Sequence, residues 1–234
     1  MTSRALTSGA LALEARQLCK VYRSGTEEVR ALEDVTLAVP AGAFALVTGP
    51  SGSGKTTLLA LLGALERPTR GEVLVGGTSL SGCSDIELAR VRRRTGFIFQ
   101  DFSLIPGLPV LENITYPLIP RGLGRAERYR LAGEWLARLD LAGKGSTRPL
   151  ELSGGEQQRA AIARALAGKP EIVLADEPTS NLDDAAADRV IALLQQTHTS
   201  GKTLVVSSHD PRFAVLATAV FTLQQGRLMA QADG

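Results

Sequence analysis

Residues 44–56 read FALVTGPSGSGKT. Phe44 to Thr48 form a short apolar, β-rich run, a glycine-rich turn follows, and a helix is expected from Lys55 to about Leu65, ending near Pro68. Within that frame Gly49, Pro50, Ser51, Gly52, Ser53, Gly54, Lys55 and Thr56 satisfy G-x-x-x-x-G-K-[ST] in the strand-to-helix context that the motif requires. The residue types fit a phosphate cradle. Glycines let backbone N–H groups curl around phosphate oxygens, and the helix N-terminus adds a dipole that favours anionic charge. Lys55 can then reach the β- and γ-phosphates of a nucleotide, and the Thr56 hydroxyl can bind Mg²⁺. A flexible Gly/Ser loop is the alternative. Average residue usage makes a chance match roughly one in a hundred for a chain of this length, and the flanking strand and helix lower it further.

Outward from this stretch, strands and helices alternate. Leu13 to Tyr22 reads as a strand, VTLAVPAGAFALVTG as two more with a turn at Pro40 and Gly42, and GFIFQ, EIVLADEP and TLVVSSHD as three others. Helices are expected from Asp85 to Arg94, over RAERYRLAGEWLARLDL with Leu131, Trp135 and Leu139 on one face, and over DAAADRVIALLQQ. VFTLQQGRLMA closes as a hairpin-like pair, and the stretch through Pro106, Pro109 and Pro117 reads as loop. This alternation predicts an α/β fold with a mostly parallel sheet. Residues 1–12 read as a loose tail and 13–234 as one domain, with a helix-rich subdomain inserted over about 85–165.

With 234 residues, the chain can bury roughly three quarters of its unfolded surface without disulfides or structural metals. It is 44% hydrophobic and 21% charged with a net charge of +2, which gives no electrostatic reason for a nucleic-acid partner. Cys19 and Cys83 stand alone, without metal-ligand spacing, and suit a reduced compartment. No stretch approaches 18 uninterrupted apolar residues, and the N-terminus is too broken by Thr, Ser, Gly and Glu14 for a signal peptide. Any membrane span would belong to another chain.

A second half of the site is IVLADE, Ile172 to Glu177. Four apolar residues predict a strand buried on both faces, and Asp176 at its C-terminal end stands where α/β sheets place ligands. Asp176 would hold Mg²⁺, and Glu177 would orient a water for in-line attack on the γ-phosphate. An isolated Asp-Glu pair would be a solvated strand end; beside a phosphate loop it is not.

LSGGEQQRAAIARALAG, from Leu152, poses a separate question. Ser153 before a helical pattern is ordinary capping, but Gly154 and Gly155 add little as caps and imply a close approach of something to the backbone. With the motifs above, this stretch resembles the signature of the nucleotide-binding subunit of ATP-binding cassette (ABC) transporters, from about Leu13 to Met229. Gln100 in FIFQD is similar to that family's Q-loop glutamine, Ser180 to Asp183 to its D-loop, His209 to its switch histidine and Tyr22 in KVYRSG to its adenine-stacking aromatic. The resemblance implies ATP and Mg²⁺ as ligands, with Glu177, His209, Gln100 and Lys55 catalytic, and Thr56, Gln100 and Asp176 around the metal. It also implies nucleotide contacts from Tyr22, the loop Gly49 to Thr57, Ser153, Gly154, Gly155 and Asp183. In the family two such subunits meet head to tail, so a partner's γ-phosphate would face Ser153 to Gly155. Glu156 stands where the signature commonly has Gln, a frequent variant, and Ala43 and Ser208 stand where Glu and Thr are usual, neither touching a phosphate ligand.

Finer likeness, in VRALEDVTLAVPAG and FIFQDFSLIPGLPVLENITYPL, is to the lipoprotein-release and macrolide-export group, which implies a permease on a separate chain and a place at the cytoplasmic face of the inner membrane. Phe102, Leu104, Ile105 and Leu108 are expected to help form a groove for that permease, and Arg92 to Arg94 to form a solvated helix face. A mechanotransmission subunit regulating an extracytoplasmic enzyme fits the same motifs. A DNA-acting ABC ATPase would need a long coiled coil between phosphate loop and signature, and no heptads occur there.

Overall fold

The computed structural model describes residues 10–25 and 27–229. Two long strands, β1 (Leu11–Ser24) and β2 (Glu27–Pro40), pair antiparallel. The second half of β2 alternates buried and exposed residues, because only one face of this sheet meets a core. β3 (Phe44–Thr48) leads through the glycine-rich turn into α1 (Lys55–Leu62), and β4 (Arg70–Val75) with β5 (Thr78–Ser79) completes an antiparallel sheet of order β2-β1-β4-β5. After α2 (Asp85–Arg94) and β6 (Thr95–Ile98) come helices without strands: α3 (Val110–Thr115), a 3-10 turn (Tyr116–Arg121), α4 (Arg125–Arg138) and α5 (Gly154–Ala167). The chain then alternates β7 (Ile172–Asp176), α6 (Asp184–Thr199), β8 (Thr203–Ser207) and α7 (Arg212–Leu216), and ends on β9 (Ala219–Gln224) and β10 (Arg227–Leu228).

The second sheet has the order β10-β9-β3-β8-β7-β6, parallel from β9 to β6 with β10 antiparallel at the edge. The expected α/β fold with a mostly parallel sheet and an N-terminal antiparallel region is therefore the observed one. Its central strands are apolar on both faces since both are covered. In β3, Phe44 and Leu46 enter one core with α5 and α6, whereas Ala45 and Val47 enter the other with α1 and the antiparallel sheet. Leu58, Leu59, Leu61 and Leu62 of α1 are fully buried there. At about 2 kcal/mol for each such side chain, they anchor the helix that carries Lys55 and Thr56 at its start.

Register decides where the chemistry goes. Val47 pairs with Ser207, Ser207 with Asp176, and Ala175 with Ile98. The C-terminal ends of β3, β8, β7 and β6 therefore lie side by side, the edge at which open α/β sheets bind ligands.

Several expectations need correcting. Of residues 1–12, Leu11 and Ala12 already belong to β1, while 1–9 lie outside the described residues. α1 stops at Leu62, capped by Gly63, rather than at Leu65. The proline-punctuated segment is not all loop: Pro109 caps α3, where its missing N–H costs nothing, and Pro117 sits in the first 3-10 turn. Within 85–165, β6 is the edge strand of the parallel sheet, so the strand-free helical run follows Gln100. Arg92 to Arg94 are not simply solvated. Arg92 donates to Ala64 O at 2.9 Å, and Arg94 makes a bidentate pair with Glu171 at 2.9 and 2.6 Å.

Candidate functional site

The phosphate loop is shaped by its glycines. Gly49 and Gly54 sit at φ 141° and 103°, and a Cβ would lie 1.9 Å from Leu223 O at the first and 2.4 Å from Ala31 O at the second. No other residue fits either position. Gly54 is the N-cap of α1, so the next residues, Lys55 and Thr56, stand in the helix's first turn. Lys55 is buried. Its Nζ donates to Gly49 O at 2.9 Å and Pro50 O at 3.3 Å, and lies 3.1 Å from His209 Nε2 and 3.4 Å from Glu177 Oε1. His209 Nε2 in turn is 3.2 Å from Glu177 Oε1. One ammonium, one carboxylate and one imidazole from three strand ends thus converge on a point.

Beside them, Thr56 Oγ1 donates to Asp176 Oδ2 at 2.6 Å. Asp176 is buried, and its other oxygen accepts from Ser207 Oγ at 2.5 Å. A hydroxyl and a single carboxylate, both hard oxygen donors, fit a magnesium ion, which takes one or two carboxylates and draws its remaining ligands from phosphates and water. Among the described residues no group of three or more His, Cys, Asp and Glu gathers to hold a metal, and such a site does not call for one. Ser207 also steadies Glu177. The Glu177 N–H is shared between Ser207 O at 2.9 Å and Ser207 Oγ at 3.1 Å, which holds Glu177 in the left-handed region at φ 44°, a conformation costing about 1 kcal/mol or more for a side chain like this. Sequence reading missed Ser207. Its signal is a polar residue ending an otherwise apolar strand.

Gln100 is exposed just past β6, and its backbone oxygen accepts from Asn181 Nδ2 at 3.2 Å, which brings the two loops together. Tyr22, on β1, donates its hydroxyl to Glu66 Oε2 at 2.8 Å and lies within reach of Thr57 in the first turn of α1. Lys20 Nζ sits 4.9 Å from the centre of its ring and 2.9 Å from Glu66. Burial alone would raise the Glu66 pKa, but hydrogen bonds from Lys20 and Tyr22 outweigh it and hold the carboxyl below its usual range.

The signature segment stands apart. Among the described residues, no hydrogen bond or ion pair joins Ser153 to Glu156 to Lys55, Thr56, Asp176, Glu177 or His209. Ser153 is the N-cap of α5: its Oγ accepts from Glu156 N at 3.3 Å, and Glu156 Oε2 accepts from Ser153 N at 2.8 Å, a reciprocal capping box. Glu156 also pairs with Lys144 at 3.2 Å, and the backbone hydrogen bond from Ser153 is the main reason its carboxyl titrates below the ordinary range. The Ser153 oxygen is thus used as an acceptor, and its hydroxyl also bonds the Glu156 carboxyl. A Cβ at Gly154 would meet nothing nearer than Asn181 O at 3.6 Å, and one at Gly155 nothing nearer than Ala186 Cβ at 3.5 Å. Neither glycine has positive φ. Asp183 is exposed and caps α6, accepting from Ala186 N at 2.7 Å.

Comparison with known proteins finds relatives along nearly the whole chain. The family model described as ABC transporter matches residues 32–180. An ABC transporter ATP-binding protein of Thermotoga maritima is 44% identical over 92% of this chain and 93% of its own length. A macrolide export ATP-binding/permease protein MacB of Hyphomonas neptunium is 40% identical over 93% of this chain, which spans only 34% of that relative. Among solved structures, the dimeric post-hydrolysis state of the ATP-binding cassette MJ0796, bound to ADP and Pi, superposes with a TM-score of 0.88 at 39% identity, covering 93% of this chain and 97% of that one. On the family match and on relatives aligned along nearly the whole sequence, the chain belongs to the ABC transporter family, as an ATP-binding cassette.

Proposed function

We propose that the protein is the ATP-hydrolysing subunit of an ABC transporter, working as a head-to-tail dimer that powers a permease carried on a separate chain. The observation that carries the hydrolytic reading is the convergence of Lys55, Glu177 and His209 within 3.4 Å, next to the Thr56–Asp176 pair. Lys55 would bind β- and γ-phosphate oxygens in place of the loop carbonyls it now meets. Thr56, Asp176 and Gln100 would hold Mg²⁺, which neutralises charge on the phosphates. Glu177 would orient the attacking water and accept its proton, with His209 beside it to bind the γ-phosphate. Tyr22 would stack on the adenine with the ring face that Lys20 leaves open.

The dimer reading is supported by the two glycines at the start of α5, which nothing among the described residues requires. The N–H groups at this helix end, with the Ser153 hydroxyl turning from Glu156 to donate, would suit the γ-phosphate of a nucleotide held by a second copy. ATP contacts that ADP cannot make would favour the closed dimer, and hydrolysis would release it.

For the permease we assign a cavity of about 490 Å³ lined by Phe97, Phe99, Ile105, Tyr116 and Arg93 among others. Of the four residues expected there from sequence, only Ile105 lines it: Leu104 is buried in the core and Phe102 packs beside Gly154. No described helix is long and apolar enough to cross a membrane, so a place at the cytoplasmic face of the inner membrane would come through that partner. The partner would serve export, as in the macrolide export relatives, or the extraction of a lipoprotein or lipid. Glu177→Gln tests the reading: ATP binding should persist, turnover should be lost and an ATP-bound dimer should accumulate. Near-normal turnover would remove Glu177 from the general-base role.

A further inference from the structure

His209 has a half-exposed side chain, and among the described residues its side-chain partners are Lys55 and Glu177. Its backbone is held by its neighbours. Ser208 is buried with its N–H on Val47 O at 3.2 Å, and Asp210 N donates to Ser208 Oγ at 3.0 Å. The Asp210 carboxylate is gripped chiefly by Arg212. Arg212 Nε lies 2.9 and 3.0 Å from the two Asp210 oxygens, its Nη2 2.6 Å from Oδ2, and its backbone N 3.0 Å from Oδ1. The remaining arm of the guanidinium reaches α6, with Nη1 2.8 Å from Asp188 Oδ1 and 3.7 Å from Asp184 Oδ1. Asp210 Oδ2 also accepts from Thr179 Oγ1 at 3.3 Å, in the turn that begins at Glu177.

We propose that Arg212 is a positioning residue for hydrolysis: it clamps the His209 turn to the start of α6 and to the Glu177 turn, and so fixes His209 against Glu177. The proposal rests on the hydrolytic reading given above. The residue type suits the task, because a planar fork can hold Asp210 with two nitrogens while a third reaches a second carboxylate, and an ammonium cannot do both. Arg212 also keeps three carboxylates together. Without it Asp184, Asp188 and Asp210 would repel one another across the cleft that holds Glu177 and His209. The hydrogen bonds from Arg212 are the main reason the Asp210 carboxyl titrates below its ordinary range, which agrees with a clamp that is closed at neutral pH.

Magnitudes separate positioning from scaffolding. Asp184 and Asp188 are largely exposed, and surface pairs of that kind add little to stability. Catalysis is far less tolerant, since a misplacement of about 1 Å can cost on the order of a hundredfold in rate. Steady-state ATP hydrolysis and thermal melting of the full chain test the idea with Arg212→Met, Arg212→Lys and Asp188→Asn. Arg212→Met should lower kcat about tenfold or more, leave the KM for ATP nearly unchanged, and shift Tm by only about 2–4 °C. Arg212→Lys should fall between wild type and Met. Adding Asp188→Asn to Arg212→Met should cost nothing further, because the two act through one contact. An unchanged kcat in Arg212→Met would overturn the proposal. So would a fall in kcat matched by a comparable rise in KM or a collapse in Tm, the mark of a scaffold residue. A wild-type chain that hydrolyses no ATP would instead overturn the hydrolytic reading beneath it.

Discussion

Two glycine-bearing helix starts in this molecule look alike in sequence and differ in what surrounds them. At the start of α1, Gly49 and Gly54 are pressed against backbone oxygens of the same chain, and a Cβ on either would collide at 1.9 and 2.4 Å. At the start of α5, Gly154 and Gly155 have ordinary helical backbone and room for a methyl group. The first site is complete within the chain, down to the lysine that its own loop carbonyls hold. The second has a capped serine, free N–H donors and space that the chain does not use. A glycine demanded from inside shapes a loop; a glycine not demanded from inside points to something that arrives from outside.

This contrast can be broken most strongly at Gly49. Gly49→Ala should disrupt the loop at a cost of about 3 kcal/mol or more, and calorimetric titration should show nucleotide binding lost. Next in size, Glu177→Gln should lower kcat about 10²- to 10⁴-fold, the usual worth of a positioned base, with affinity for ATP retained. Gly155→Ala sharpens the other side. It should leave stability unchanged or raise it by up to about 1 kcal/mol, as alanine is the better helix former, keep the monomer's nucleotide affinity, and still reduce hydrolysis. The smallest effect concerns pH. Asp210 titrates below its ordinary range of about 4 in the folded chain, so its contribution to stability is present above that pH and is lost as pH falls through the lower folded value. Asp210→Asn should therefore be less stable than wild type near neutrality, with the gap closing below about pH 4 in chemical denaturation.

Much of this arrangement is legible in sequence for a physical reason. β3, β7 and β8 are short apolar runs because both faces are covered, and the ligands follow at their ends, so FALVT, IVLAD and TLVVS announce themselves. The elements that escaped are those with mixed surroundings. The first half of β2 is EEVRAL, mostly exposed, and β4 opens with Arg70, Gly71 and Glu72 before its buried half. α3 hides behind Pro109, a residue that starts this helix but in sequence looks like loop punctuation. Supporting residues were the least visible. Ser207, Glu66 and Arg212 act through contacts with residues 31, 44 and 24 positions away, and pattern along the chain carries no trace of such pairs.

Ser153→Arg in the Glu177→Gln background, followed by light scattering with and without ATP alongside the nucleotide affinity of the monomer, tests the central claim most directly. The account predicts unchanged monomer affinity and loss of the ATP-dependent dimer, since Ser153 serves a nucleotide that this chain does not hold. A monomer affinity that falls together with dimer formation would place the α5 helix start in the chain's own site and contradict it.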